Sequence, residues 1–119
     1  MSYDISFKVK VEGVDKYVDV GGCTANTTWN VGKMIRVATE LPWNNCENNG
    51  RCVEIMPHIE KGFYELMLHP EKYKQYEAPN GWGTVETTKR FFERILKDWD
   101  SFCRDEDEAL IGAATFWIE

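Results

Sequence analysis

Cys46, Cys52, His58 and His69 follow one another as C-x5-C-x5-H-x10-H. Two thiols and two imidazoles are a zinc-binding set, yet structural zinc sites favour tight C-x2-4-C knuckles. The spacing is too open to specify a metal, and none is expected. Cys52 and Cys103 also fall on the apolar faces of expected helices, where a thiol packs as a small hydrophobe. Cys46 and Cys52 bracket a loop and could pair on oxidation. Nucleophilic catalysis needs a base within reach of a Ser, Cys or Thr. The two histidines sit eleven residues apart on one expected helix, on similar faces about three turns apart, too far to act on one atom. Carboxylates are plentiful, but no pair marks a cleft. These groups give no reason to expect an enzyme or a cofactor.

Binding chemistry is easier to place. Asn80-Gly81-Trp82-Gly83-Thr84 lacks the length and the Lys-Ser/Thr ending of a nucleotide P-loop. It opens a helix, however, whose free N–H groups suit an anion. The plainer alternative is a tight turn with Trp82 tucked against the core. Trp43 and Trp82 both stand in Asn-, Gly- and Pro-rich loops, beside Asn44 and Asn80. An exposed Trp among amides is a rigid anchor with adaptable polar neighbours, whereas a Trp that folds back is a loop plug. The candidate binding set is therefore Trp82, Asn80, Gly81, Gly83, Thr84, Trp43 and Asn44.

Charge adds one feature. The 119-residue chain carries a net charge of −6, and residues 98–108 alone hold six acids and one base. Within that run Asp105, Glu106, Asp107 and Glu108 form an acidic patch. It reads either as a solvated loop or as a surface that docks on a basic partner. No basic stripe is present, so direct nucleic-acid binding is not expected. No apolar run approaches the roughly 18 residues of a membrane span, and the N-terminal residues lack the pattern of a signal peptide, which points to a cytoplasmic protein without a membrane partner.

The elements that must position these residues can be read from periodicity. Ile5, Phe7, Val9 and Val11 alternate with polar residues, and Lys16–Val20 returns after a turn at residues 12–15, a β-hairpin over residues 3–20. Thr27 and Thr28 can cap a helix from Trp29 to Glu40. A polar loop spans Pro42–Gly50. Cys52, Ile55, Met56, Ile59, Phe63, Leu66 and Met67 mark a second helix, with Pro57 in its opening turns or at a kink. Pro70 opens a short helix reaching Tyr76. Thr84 caps the longest helix, Val85 to Cys103, whose stripe is Val85, Thr88, Phe92, Ile95, Trp99 and Phe102. Leu110–Ile118 reads as a last strand. A lone hairpin is marginal in water, so this strand is expected to join it. The result is a single α+β domain over residues 1–119: a three-stranded antiparallel or mixed sheet packed against three to four helices.

Four segments carry a resemblance: Tyr3–Gly13, Thr28–Ile35, Ala78–Thr84 and Thr115–Glu119. Across nearly its whole length the chain resembles small proteins encoded by phages and mobile elements of Gram-positive bacteria. The shared motifs carry no assigned chemistry, so no functional residue transfers. The resemblance implies an accessory protein that binds and modulates a host protein, such as an inhibitor of an anti-phage defence system. The alternative is a binder or sponge for a nucleotide signal, with phosphate at the Asn80–Thr84 helix entrance and the base against a Trp.

Overall fold

The computed structural model describes residues 2–119. Strand β1 (Ser2–Lys10) buries Tyr3, Ile5 and Phe7 and turns the residues between them outward, the side-chain period of a half-buried strand. After the turn, β2 (Tyr17–Asp19) runs antiparallel to it with Lys8 opposite Asp19. The return does not end at Gly21-Gly22. These two bend the chain with φ of 75° and 89°, and it rejoins β1 as β3 (Asn26–Thr28), opposite Ser2–Asp4.

Thr28 then caps, as its type predicts, but what it caps is a 3-10 turn over Trp29–Val31 that leads into α1 (Gly32–Thr39). The expected loop at 42–50 contains a strand, β4 (Glu47–Arg51). Helix α2 (Cys52–Leu68) follows without a break and holds Pro57 inside it. Helix α3 (Pro70–Tyr73) starts on its proline and continues as a 3-10 turn to Tyr76. Helix α4 (Val85–Asp105) begins at Thr84 with a reciprocal cap: Thr84 Oγ1 accepts from the Thr87 N–H at 3.1 Å, and the Thr84 N–H donates to Thr87 Oγ1 at 2.8 Å.

The last expected strand is half helix. Asp107 Oδ1 accepts the Leu110 N–H at 2.8 Å and starts α5 (Glu108–Ala113), so only Thr115–Ile118 forms β5. An acidic cap followed by Glu-Ala-Leu is a helix start, and that local signal prevails over the β-forming run after it. Strand β5 does join the hairpin as expected, with Ile5 opposite Ile118 and Lys8 opposite Thr115. It also pairs with β4 on its other side. The sheet is thus antiparallel and five-stranded, in the order β2-β1-β5-β4 with β3 also on β1, two strands more than expected.

Helices α1, α2 and α4 contribute most of the rest of the core, with Met34, Ile35, Ile59, Leu66, Phe92 and Ile95 fully buried beside Phe7 and Phe116. Gly62 marks the closest approach of the helices. A Cβ there would lie 2.8 Å from Thr39 Cγ2 and 2.9 Å from Phe92 Cε2. Among the described residues no helix is long and apolar enough to cross a membrane.

A polar tether holds α3 on α2. The buried Tyr73 donates its hydroxyl to Glu65 Oε1 at 2.9 Å, with Lys72 Nζ at 3.6 Å and His69 Nε2 at 3.9 Å from the same carboxylate. The Tyr73 bond, followed by Lys72 and His69, holds Glu65 below its ordinary 4.5 against the opposing pull of burial. A depressed carboxylate gives stability that is present above its unfolded pKa and lost as pH falls through the folded one. The stability gap between wild type and Glu65→Gln should therefore narrow when urea unfolding is moved from pH 7 to below 4.5. An unchanged gap would show that the tether does not depend on the charge.

Candidate functional site

The loop before α4 is fixed before it reaches the helix. The Gly81 N–H donates to the Ala78 carbonyl at 3.0 Å, and the Trp82 N–H donates to Asn80 Oδ1 at 3.0 Å. Gly81 has φ of 77° and Gly83 of 99°, both in the left-handed region that side chains disfavour. Gly83 is buried against the 3-10 turn: a Cβ there would lie 2.6 Å from Val31 Cγ1 and 2.9 Å from Thr28 Cγ2. The loop presses onto the turn, and Trp82 between the two glycines faces water with 69% of its surface exposed.

Trp82 is not alone. Two shallow clefts meet at its ring. One, of about 390 Å³, is lined by Thr28, Trp29, Asn30 and Asn80. The other, of about 330 Å³, is lined by Ser2, Asn26, Thr27 and Thr28. Trp29 is 39% exposed, and its indole N–H donates to the Ser2 carbonyl at 2.8 Å. The ring leans on Tyr3, 6.2 Å between centroids. It is therefore a second ring held in place with a face left open. Sequence reasoning missed it by reading Trp29 only as the first residue of a helix. The available signal was its place directly after the cap Thr28, in a first turn that need not face the core. Asn26 extends the surface to a third cleft, shared with Thr24, Thr87, Arg90 and Arg94 on α4. Arg90 pairs with Glu86 at 3.2 Å and Arg94 with Asp98 at 3.7 Å.

The other members of the expected set have different positions. Trp43 is 3% exposed, a plug and not an anchor. It packs against Tyr3, Phe91 and Phe116 with centroids 5.8–5.9 Å apart, and its indole N–H has no partner among the described residues. The reason lies in the backbone: φ of 55° at Trp43 swings the chain so that the ring enters the core while Asn44 stays outside. Asn44 is bonded through its backbone to the Asn49 side chain, at 2.9 Å in both directions, and serves the β4 turn. Gly83 and half-buried Thr84 are scaffold for Trp82 and not contact surface.

The helix entrance is already occupied. Glu77 Oε2 accepts the Val85 N–H at 2.8 Å, Thr84 takes the Thr87 N–H, and the Thr88 N–H donates to the Thr84 carbonyl at 3.0 Å. An external anion would have to displace a carboxylate. The acidic patch lies at the other end of α4, roughly 30 Å away at about 1.5 Å per residue. Asp105, Glu106, Asp107 and Glu108 are exposed and make no ion pair among the described residues, and Asp107 is the α5 cap.

Burial pushes Cys23 and Cys52 up to about 12, which keeps both protonated at neutral pH. Cys23 and Cys103 lie near Cys52, close enough to raise its thiol further. Burial, aided by Asp100, also raises Cys103. His58 Nδ1 lies 3.0 Å from the Thr39 carbonyl, between α1 and α2. Among the described residues no three His, Cys, Asp or Glu side chains converge as a metal-binding group. Compared with protein-family models, with curated proteins and with solved structures, the chain matches none.

Proposed function

We propose that the protein is a non-enzymatic binding protein whose working surface is Trp82 with Trp29, bordered by Asn26, Asn30 and Asn80. Following the phage resemblance, it acts in the host bacterial cytoplasm on one host protein, as an inhibitor of a defence system. The observation that carries this reading is a Trp with 69% of its surface exposed on a loop that hydrogen bonds and a buried glycine hold still. A rigid exposed aromatic loses little entropy on contact, and Trp and Arg dominate interface hot spots. Arg90 and Arg94 extend the same surface.

The nucleotide alternative keeps a ring to stack on, but Glu77 stands where its phosphate would sit. Two measurements separate the readings. Tagged protein expressed in its host is purified with whatever accompanies it, and the captured protein's affinity is measured for wild type and Trp82→Ala. The variant should fold normally and lose at least about 2 kcal/mol of binding, the scale of a hot spot. Unchanged affinity would remove Trp82 from the surface. A rise in melting temperature with added nucleotides would instead support the alternative, because a ligand of the native state stabilises it by mass action.

A further inference from the structure

Helices α2 and α4 leave a second surface between them, on the face of α4 turned away from Arg90 and Arg94. It is a groove of about 730 Å³, walled by Val53, Met56, Phe63 and Tyr64 on one side and Leu96 and Trp99 on the other. Along α2 the apolar row continues outward through Tyr64, Met67 and Leu68, which are 48%, 43% and 65% exposed. From Val53 to Leu68 the row is about 22 Å long at about 1.5 Å per residue, the length of a helix of about four turns. Val53, Tyr64, Met67 and Leu68 are its exposed members, and a contiguous exposed apolar row is a feature of interaction sites.

The charges identify the occupant. Among the described residues, the only charged side chains lining the groove are Glu60 and Asp100. Glu60 makes no ion pair among the described residues, and Asp100 meets only the exposed Arg104 at 3.5 Å. The neighbouring cations are turned elsewhere: Lys61 to Glu40 at 2.7 Å and Lys97 to Glu93 at 3.2 Å. Beyond Cys103, which lines the groove, and Arg104 come Asp105, Glu106, Asp107 and Glu108. A second copy of this face would set carboxylates against carboxylates, which opposes self-association, and anionic lipid would be repelled in the same way.

We infer that this groove receives an amphipathic helix of a partner protein, with its apolar stripe on Tyr64, Leu96 and Trp99 and its flanking Lys or Arg side chains on Glu60 and Asp100. The mode is a helix in a groove, read by residues at i, i+3, i+4 and i+7.

The test uses the full chain and two labelled synthetic peptides of about 15 residues, sized to α2. Both carry Leu at those positions. One has Lys and Arg flanks, and its twin has Glu flanks. Fluorescence anisotropy should show the basic peptide binding at least about tenfold tighter than the twin, with the difference shrinking as salt rises. Tyr64→Ser, at an exposed position, should weaken the basic peptide several-fold. Glu60→Lys with Asp100→Lys should reverse the preference, with circular dichroism confirming the fold of each variant. Trp82→Ala should leave this binding unchanged, which separates the groove from the Trp82 surface. Equal binding of the two peptides, no binding of either at about 1 mM, indifference to Tyr64→Ser, or a dimer or anionic-vesicle complex broken by Tyr64→Ser would each overturn the proposal.

Discussion

Trp43→Ala is expected to destabilise the protein by about 3–5 kcal/mol, the usual loss for emptying a buried aromatic site. The ring joins β1, α4 and β5 through Tyr3, Phe91 and Phe116, so the cavity would open where three elements meet. Its indole N–H adds a twist. A buried donor without a partner costs about 1–3 kcal/mol, and Trp43 Nε1 is such a donor among the described residues. Trp43→Phe removes that donor and keeps most of the apolar volume, so it should recover most of the loss. Trp82→Ala supplies the contrast: an exposed ring should change stability by no more than about 0.5 kcal/mol. Urea unfolding of the three variants gives the comparison. A loss below about 1 kcal/mol for Trp43→Ala would mean that the ring is not part of the core.

The second large effect lies where α1, α2 and α4 converge. Phe92 is fully buried, and Phe92→Ala should cost about 3–5 kcal/mol. Its ring lies where a Cβ on Gly62 would intrude, at 2.9 Å. Gly62→Ala alone should therefore destabilise, because overpacking costs about 1–3 kcal/mol and exceeds the gain of about 1 kcal/mol from replacing a helical glycine. With the Phe92 ring gone, the methyl loses that clash and meets only Thr39 Cγ2, at 2.8 Å. The double variant should be more stable than the two single losses predict, by about 0.5–3 kcal/mol of coupling. Strict additivity would show that the two residues do not share this contact.

The helices and the hairpin were legible because their signals are local and redundant. Thr84 with its apolar stripe, and Pro70 at a helix start, each act within a turn or two. Strand β4 was not legible, since Asn48-Asn49-Gly50 has the composition of a turn. It is a strand only because β5, far along the chain, offers it an edge, with Asn48 opposite Trp117. The division at Ala114 was obscured in a similar way: Leu110 and Ile111 suit helix or strand, and the Asp107 cap settled the matter. Trp43 and Trp82 looked alike as residues in Asn-rich loops. A positive φ at Trp43 and a buried Gly83 beside Trp82 send one ring inward and the other out. Neither feature is written in residue type, so the choice between anchor and plug stayed open for both rings and Trp29 went unnoticed.

The pairing of β1 with β5 has a consequence for biosynthesis. Phe7 faces Phe116 and Ser6 faces Trp117, partners separated by more than a hundred positions. A ribosome delivers β1 first and β5 last. Throughout that interval β1 has an unpaired edge, and the aromatic groups of the nascent chain lack the strand that completes the sheet. Contacts of such long sequence separation slow folding, and an open strand edge invites pairing with other chains. Helical pairs such as α2 with α4 can assemble on the way, but the sheet closes only once β5 has been made. Translation rate and chaperone supply during that interval therefore bear on how much of this protein reaches its native state.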